Sequence, residues 1–556
     1  TCANQLRTAS NVEWLVYALS VMPITFPELY KLRVLSKMWN DATNTLLGLY
    51  RGLQYKLPCQ PYSRLESNFL WTHHKSFIGH IHWQMHVMAS LAQQNKMNDR
   101  TIESVMKPTI QKINCRRLLC SRKCHPRMSL DDILRLGMTG SLSNHYVQKW
   151  VILAWSQINP KVHIRMMNWW VYFALRYRSL FKDGLIPMAR KYVDVLYALW
   201  FECNLQTTSK TRKIIRKVQK RLKQRMKPEV LVELQKSEKF VGLLVMLNKS
   251  MGRSTVDSFF SQHRSIRLPW DPSIIIVSID YMQRLNSSSR PLKMTCRTDK
   301  GLIKTLLLKN EDVRTDRLAM TIGFFISMLT PYVIVKTYEV FPVTSQMGCI
   351  EMVPNTTTLY DVREKGTLLN FTMTLNPSLA VRVLRERLIT SCTGACLLAF
   401  TMGLGDRHLE NMMVTSNAEL VHVDFGWVFG DDPKHIQTPM RITEDMVDAM
   451  GGRNSTTFSS FVQITQKGYE HMRQHASFWY HMLSAESFIF ERPHRPWKRI
   501  RDHVLERFVP GEWDNEASLQ IQTVVQKAAE PSVVQRVADF THYAANHIQG
   551  IFRMDL

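Results

Sequence analysis

Two short segments hold the residue types and spacings that can do chemistry: Gly403-Leu-Gly-Asp-Arg-His-Leu-Glu-Asn411 and Val421-His-Val-Asp-Phe-Gly426. Asn411 and Asp424 lie thirteen residues apart. That separation lets a loop, a short hairpin and a second loop return both to one place. One carboxylate and one amide oxygen suit a shared Mg²⁺, a hard cation that completes its shell with waters and phosphate oxygens. Phosphoryl transfer asks little covalent help of a protein, only positioning and neutralisation of charge on the moving group. Asp406 and His408 stand where a base and a charge stabiliser would be needed. Alone, Asp-Phe-Gly more often marks a turn, and a lone histidine is more often structural. The joint pattern is far more specific.

These loops need a scaffold, and the chain supplies two textures. Residues 273–281, 291–298, 303–309 and 333–344 are β-rich with turn residues between them, which predicts a small antiparallel sheet. After Asn376 long helical patterns return, broken between Gly403 and Met440 by short strands and loops. Helix-period positions such as Leu46, Leu47, Tyr50 and Leu53 fill the first hundred residues. Residues 101–187 stay helical but are basic and rich in Met and Trp, as an insertion would be. From Lys210 to Lys227 ten of eighteen residues are Lys or Arg, while Ile215, Val218, Leu222 and Met226 make a helical stripe.

With 556 residues the chain should hold two or three domains, and its formal charge of +26 points to an anionic partner: nucleic acid, an acidic lipid surface or a phosphorylated ligand. Ten scattered cysteines and no signal peptide fit a reducing intracellular compartment without structural disulfides. Apolar runs fall short of the roughly 20 residues that span a bilayer. Membrane contact should therefore be peripheral. Beginning at Thr1 and not at Met, the chain is expected to continue upstream.

A protein kinase orders its catalytic loop His-Arg-Asp; here Asp406-Arg407-His408 with Asn411 resembles the phosphatidylinositol 3-/4-kinase and related-kinase superfamily. Ile266 to Pro272 is similar to the strand entry of that family's N-lobe. Asn286-Ser-Ser-Ser-Arg-Pro-Leu292 resembles its phosphate-binding loop, which implies that Ser287, Ser288 and Ser289 hold ATP phosphates. Lys309 to Asp316 resembles the segment carrying the ATP-phosphate lysine and its acidic partner, one residue shorter than the family pattern. By the same likeness Tyr338 is the buried tyrosine of the pocket, and the backbone of Glu351, Met352 and Val353 is the adenine hinge. Upstream, Leu46 to Lys56 and Phe77 to Trp83 resemble the helical accessory domain of the lipid kinases, and Met446 to Gly452 the C-lobe helix end of lipid 3-kinases.

The resemblance implies an α+β fold, a bilobal kinase-like domain with a small antiparallel-sheet N-lobe and a mainly helical C-lobe behind an α-helical accessory domain. Expected boundaries are 1–98 for the accessory domain, 99–185 for a basic insertion or linker, 186–348 for the N-lobe and 349–556 for the C-lobe. It implies ATP and Mg²⁺, with Mn²⁺ able to substitute, and phosphatidylinositol as substrate. The activation segment sets Lys434, His435 and Arg441 against Asp431 and Asp432, too little net charge for a polyphosphorylated headgroup. Together with Asp432-Pro-Lys434 and Pro439-Met440 this is similar to class III phosphatidylinositol 3-kinases, which implies transfer to the 3-hydroxyl, a regulatory protein subunit, and a cytoplasmic location peripheral to endosomal or other intracellular membranes. The helix from Val533 to Met554 would touch the membrane by resemblance, although its bare pattern more often packs a core. A serine/threonine protein kinase of the related branch and a weak pseudokinase or scaffold are the alternatives. Cys115, Cys120, Cys124 and His125 are too irregular for a zinc site. The cationic helix lacks the interleaved aromatics that would favour nucleic acid.

Overall fold

The computed structural model describes residues 31–55, 129–138, 145–224, 226–250, 252–285, 289–433, 438–489, 497–509 and 514–532, with single residues beyond them. The chain forms two compact units, Thr1–Ile158 with Arg473–Ala517, and Asn159–Met472 with Ser518–Leu556. The first is helical in its described parts. Leu130–Met138 and Trp497–Phe508 both pack on Ala476–Ile489. His481 Nδ1 lies 3.3 Å from Asp131 Oδ1 there. Phe77 to Trp83, the cysteines from Cys115 to Cys124 and most of the terminal helix expected from Val533 fall outside the described residues.

The second unit has the two-lobed α+β arrangement. It begins at Asn159, ahead of the expected boundary at 186, and it leaves out Arg473–Ala517. Helices α1 (Pro160–Arg165) and α2 (Met167–Arg176) pack on α3 (Val193–Leu205). Met166, Met167, Trp169 and Trp170 are at most 3% exposed. Arg165 reaches Glu339 with Nη2 at 2.5 Å and Nη1 at 3.2 Å. The Met- and Trp-rich part of the expected insertion, from Asn159 on, is thus packed into this unit. A cationic helix, α4 (Arg212–Lys223), then seals Ile215, Val218 and Leu222 inward, within the range the charge pattern predicts.

Strands β1 (Ile266–Arg267), β2 (Ile275–Arg284), β3 (Leu292–Thr298), β4 (Ile303–Lys309), β5 (Val340–Thr344) and β6 (Met347–Glu351) form an antiparallel sheet in the order β1-β2-β3-β4-β6-β5 among the described residues. β3 buries alternate side chains, as a pleated strand with one face on a core must. Helix α5 (Arg314–Leu329) packs on β5 and on α6 (Val381–Met402). A second sheet runs β7 (Thr356–Thr358), β8 (Met412–Thr415), β9 (Leu420–His422).

One expected strand is shorter than its composition predicts. Only Val340–Thr344 of residues 333–344 pairs in the sheet. Before it the backbone donors turn to helices: Ile334 N–H donates to Thr390 C=O at 3.4 Å, Val335 N–H to Ser327 Oγ at 2.8 Å and Tyr338 N–H to Met320 Sδ at 3.3 Å. β-Rich composition reports a half-buried extended chain, and helices satisfy its donors as well as a strand does. The fit is tight at Gly394 in α6, where an added Cβ would come 2.1 Å from the Ile334 carbonyl oxygen. Gly394→Ala should lower stability by about 1–3 kcal/mol, read from the denaturant midpoint; an unchanged midpoint would show that this helix does not press on the 334 segment.

Candidate active site

Helix α6 ends on Gly403 in the left-handed region (φ 56°), where Leu404 N–H returns to Ala399 C=O at 3.1 Å. That stop releases the loop carrying Asp406 and His408. The loop lies along the segment after Asp424, since Phe429 N–H donates to Met402 C=O at 2.7 Å, Gly430 N–H to Gly403 C=O at 3.0 Å and Gly405 N–H to Trp427 C=O at 3.1 Å. Only glycine fits at 405, because a Cβ there would sit 2.0 Å from the Asp431 carbonyl oxygen.

Asn411 and Asp424 flank the β8–β9 hairpin, as their spacing predicts. Val423 N–H donates to Asn411 C=O at 3.1 Å. Asn411 Nδ2 donates to Asp406 C=O at 3.0 Å, so the amide's donor end is held and its oxygen is left for another ligand. Asp424 is exposed, with Oδ1 accepting from Gly426 N–H at 3.3 Å. Asp406 and Asp424 both take positive φ, 51° and 61°. Aspartate tolerates this conformation better than most side chains, and such backbone strain concentrates at functional sites. The donor set fits a hard divalent cation, with one carboxylate and one amide oxygen from the chain.

Arg407, unassigned in the motif, holds the two loops together. Its Nε donates to Gly405 C=O at 2.8 Å, its Nη1 to Val423 C=O at 2.8 Å and its Nη2 to Asp424 C=O. Asp432, read in the sequence only as an activation-segment acid, has a further role. Its Oδ2 accepts from Asp406 N–H at 2.9 Å. The Asp-Arg-His order marks Arg407 for attention, but only tertiary structure reveals either contact. His408 is buried, with Nε2 3.9 Å from Asp406 Oδ2 and Nδ1 4.0 Å from Glu410 Oε2.

Lys309 at the end of β4 is paired with Glu311, an acid the motif comparison passed over. Asp316 is buried in the first turn of α5, and its Oδ1 has no hydrogen-bond partner. Tyr338 is buried within electrostatic reach of Asp316 and Asp424. Within the hinge, Glu351 N–H donates to Glu339 C=O and Met352 N–H to Thr305 C=O, both at 2.9 Å. Val353 N–H, the next donor along the chain, is the one expected to meet an adenine. Ser289 sits in the turn joining β2 to β3, closed by Leu285 N–H to Pro291 C=O at 2.9 Å; Ser287, Ser288, Lys434 and His435 lie outside the described residues. Arg441 is a correction. Expected at the substrate, it is 8% exposed and its Nη2 is 2.7 Å from Asp539 Oδ2. A guanidinium buried against a carboxylate is tied to the fold, because removing either partner strands the other charge.

The electrostatics bind these groups into one system. Burial alone lowers the Lys309 ammonium, but Asp316, Asp424 and Glu311 outweigh it and hold its pKa above the usual lysine value. Burial pushes the Asp316 carboxyl up to about 7, against the pull of Lys309 and with the push of Asp424 and Glu311. Burial likewise raises the Tyr338 phenol, helped by Asp316 and Asp424, and drives His422 down to about 3. The folded chain therefore keeps the Asp316 proton where the unfolded chain has lost it. Stability from this group is present below the ordinary carboxylate pKa and is lost as pH rises from about 4 to about 7. Asp316→Asn should flatten that decline and melt higher than the parent at pH 8; parallel melting-against-pH curves for the two proteins would contradict the assignment.

Residues 302–492 match the family described as phosphatidylinositol 3- and 4-kinase. Among curated proteins, the chain is 27% identical over 308 residues to phosphatidylinositol 3-kinase VPS34 of Candida glabrata, covering 52% of this chain and 34% of that one. It is 29% identical over 213 residues to phosphatidylinositol 3-kinase pik3 of Schizosaccharomyces pombe, covering 35% and 27%. A third match, to the phosphatidylinositol 3-kinase catalytic subunit type 3 of Caenorhabditis elegans, reaches 40% over 92 residues, covering 16% and 10%. The chain thus spans about a third or less of the length of these relatives. The matched segment contains Lys309, Asp316, residues 351–353, both loops and the clamp between them, so the groups described above all lie in the part of the chain that is similar to phosphatidylinositol 3- and 4-kinases.

Proposed function

We propose that the chain is the catalytic part of a phosphatidylinositol 3-kinase that moves the γ-phosphate of ATP to the 3-hydroxyl of phosphatidylinositol at a membrane surface. The observation that carries this reading is the placement of Asn411 and Asp424 across one hairpin, with Arg407 joining the loops and Lys309 within electrostatic reach of Asp424. Similarity to proteins named phosphatidylinositol 3-kinase supplies the substrate class. Val353 N–H would hold the adenine edge, and Lys309 the phosphates. The Asp406 carboxylate would take the proton of the attacking inositol hydroxyl, while the His408 ring steadies the charge developing beside it. Mg²⁺, held by Asn411 and Asp424, would supply charge neutralisation on the phosphates.

No helix among the described residues is long and apolar enough to cross a membrane. Peripheral work on intracellular, endosomal membranes is part of the proposal and rests on the similarity to the named phosphatidylinositol 3-kinases. A regulatory protein subunit belongs to the same proposal. The active chain should convert phosphatidylinositol vesicles to the 3-phosphate and leave peptide substrates unlabelled. Asp424→Asn keeps the size and the tolerance of positive φ but removes the charged ligand; turnover should fall about 10³-fold or more with the melting curve preserved. Label appearing on another hydroxyl, or on peptides, would contradict the proposal, as would full turnover by the variant.

A further inference from the structure

Helix α4 has a feature that phosphoryl transfer does not use. Its twelve residues contain seven cations and no acid. Arg212, Lys213, Arg216, Lys217, Lys220 and Arg221 are all exposed, and none forms an ion pair with the described residues. Elsewhere in this unit exposed cations find acids, as Arg253 does with Asp257 at 3.1 Å and Arg297 with Asp280 at 2.6 Å. The face extends past the helix. Arg190 Nη2 donates to Arg221 C=O at 3.4 Å, and Lys191 is exposed beside it.

The other side of the helix cannot take part. Ile215, Val218 and Leu222 are at most 5% exposed, so no apolar face is free to enter a bilayer. Trp200, the aromatic that meets Lys223 at 5.1 Å from its ring centre, is itself 1% exposed and offers no stacking platform to a base. What remains is a flat sheet of fixed positive charge on a rigid support. Mutual repulsion of those charges destabilises the helix in isolation and is relieved by any dense array of anions.

We propose that α4 is an electrostatic docking face for an anionic lipid bilayer, holding the chain on the surface where its lipid substrate lies. The preference for a bilayer over other polyanions rests on the lipid-kinase reading, while the cationic face stands without it. Contact of this kind contributes about 1 kcal/mol per basic residue, or roughly fivefold in partitioning, and is screened by salt.

The test uses the full chain and phosphatidylcholine vesicles made with or without phosphatidylserine. The parent should sediment with the phosphatidylserine vesicles, release as salt rises, and ignore the neutral ones. The combined variant Lys213→Gln, Arg216→Gln, Lys217→Gln and Lys220→Gln alters only exposed positions of a helix that glutamine sustains. Its partitioning should fall roughly fivefold per charge removed, while ATP hydrolysis without vesicles stays at the parent's rate. Asp424→Asn should bind vesicles as the parent does, so loss of turnover and loss of docking are read separately. If the parent docks through these cations yet phosphorylates no lipid, the docking face stands and the substrate reading falls. Equal vesicle binding by the quadruple variant, or a parent that prefers duplex nucleic acid to the vesicles at the same salt, would overturn the proposal.

Discussion

The guanidinium of Arg407 sits between two loops that have no covalent reason to meet. It donates to Gly405 in its own loop and to Val423 and Asp424 in the other, so three carbonyl dipoles converge on one charge. Burial lowers its pKa, and Asp424 and Asp406 oppose that effect. A charge-assisted donor of fixed geometry is worth more than a neutral one and is costly to strand. The two catalytic loops meet at that junction. Asn411 keeps its amide turned by the Asp406 carbonyl, Asp406 N–H is held by Asp432, and Asp424 follows β9 at the same open end of the hairpin that Asn411 enters.

Around this junction the titrating groups share one field. Lys309 is held charged by three acids, of which Asp316 is the most buried and Asp424 the most exposed. A cation arriving at Asn411 and Asp424 would reduce the negative charge that Lys309 and Asp316 feel, so nucleotide, metal and protonation are linked by one electrostatic system. The hinge is separate. Backbone bonds already use Glu351 and Met352 N–H, and Val353, two residues past β6, is the next donor.

Local features were legible in the sequence. The thirteen-residue gap between Asn411 and Asp424 predicted the hairpin that joins them, and Ile303–Lys309 matched its strand end to end because alternation and turn residues are local signals. Partners distant in the chain were not. Arg441 reads as a loop cation until Asp539 is beside it, and Glu311 reads as one of two acids until Lys309 chooses it. The Met- and Trp-rich segment looked like an addition, since nothing in its composition names Glu339 as its anchor. Residues 333–339 carry strand composition, yet their donors go to helices.

The central claim, that Asn411 and Asp424 grip one divalent ion against a nucleotide, is tested most directly by calorimetric titration of ATP with and without Mg²⁺. The parent should bind ATP more tightly when Mg²⁺ is present, and a chain carrying both Asn411→Ala and Asp424→Asn should show one affinity in either buffer. Undiminished tightening by Mg²⁺ in that double variant would place the ion elsewhere and contradict the account.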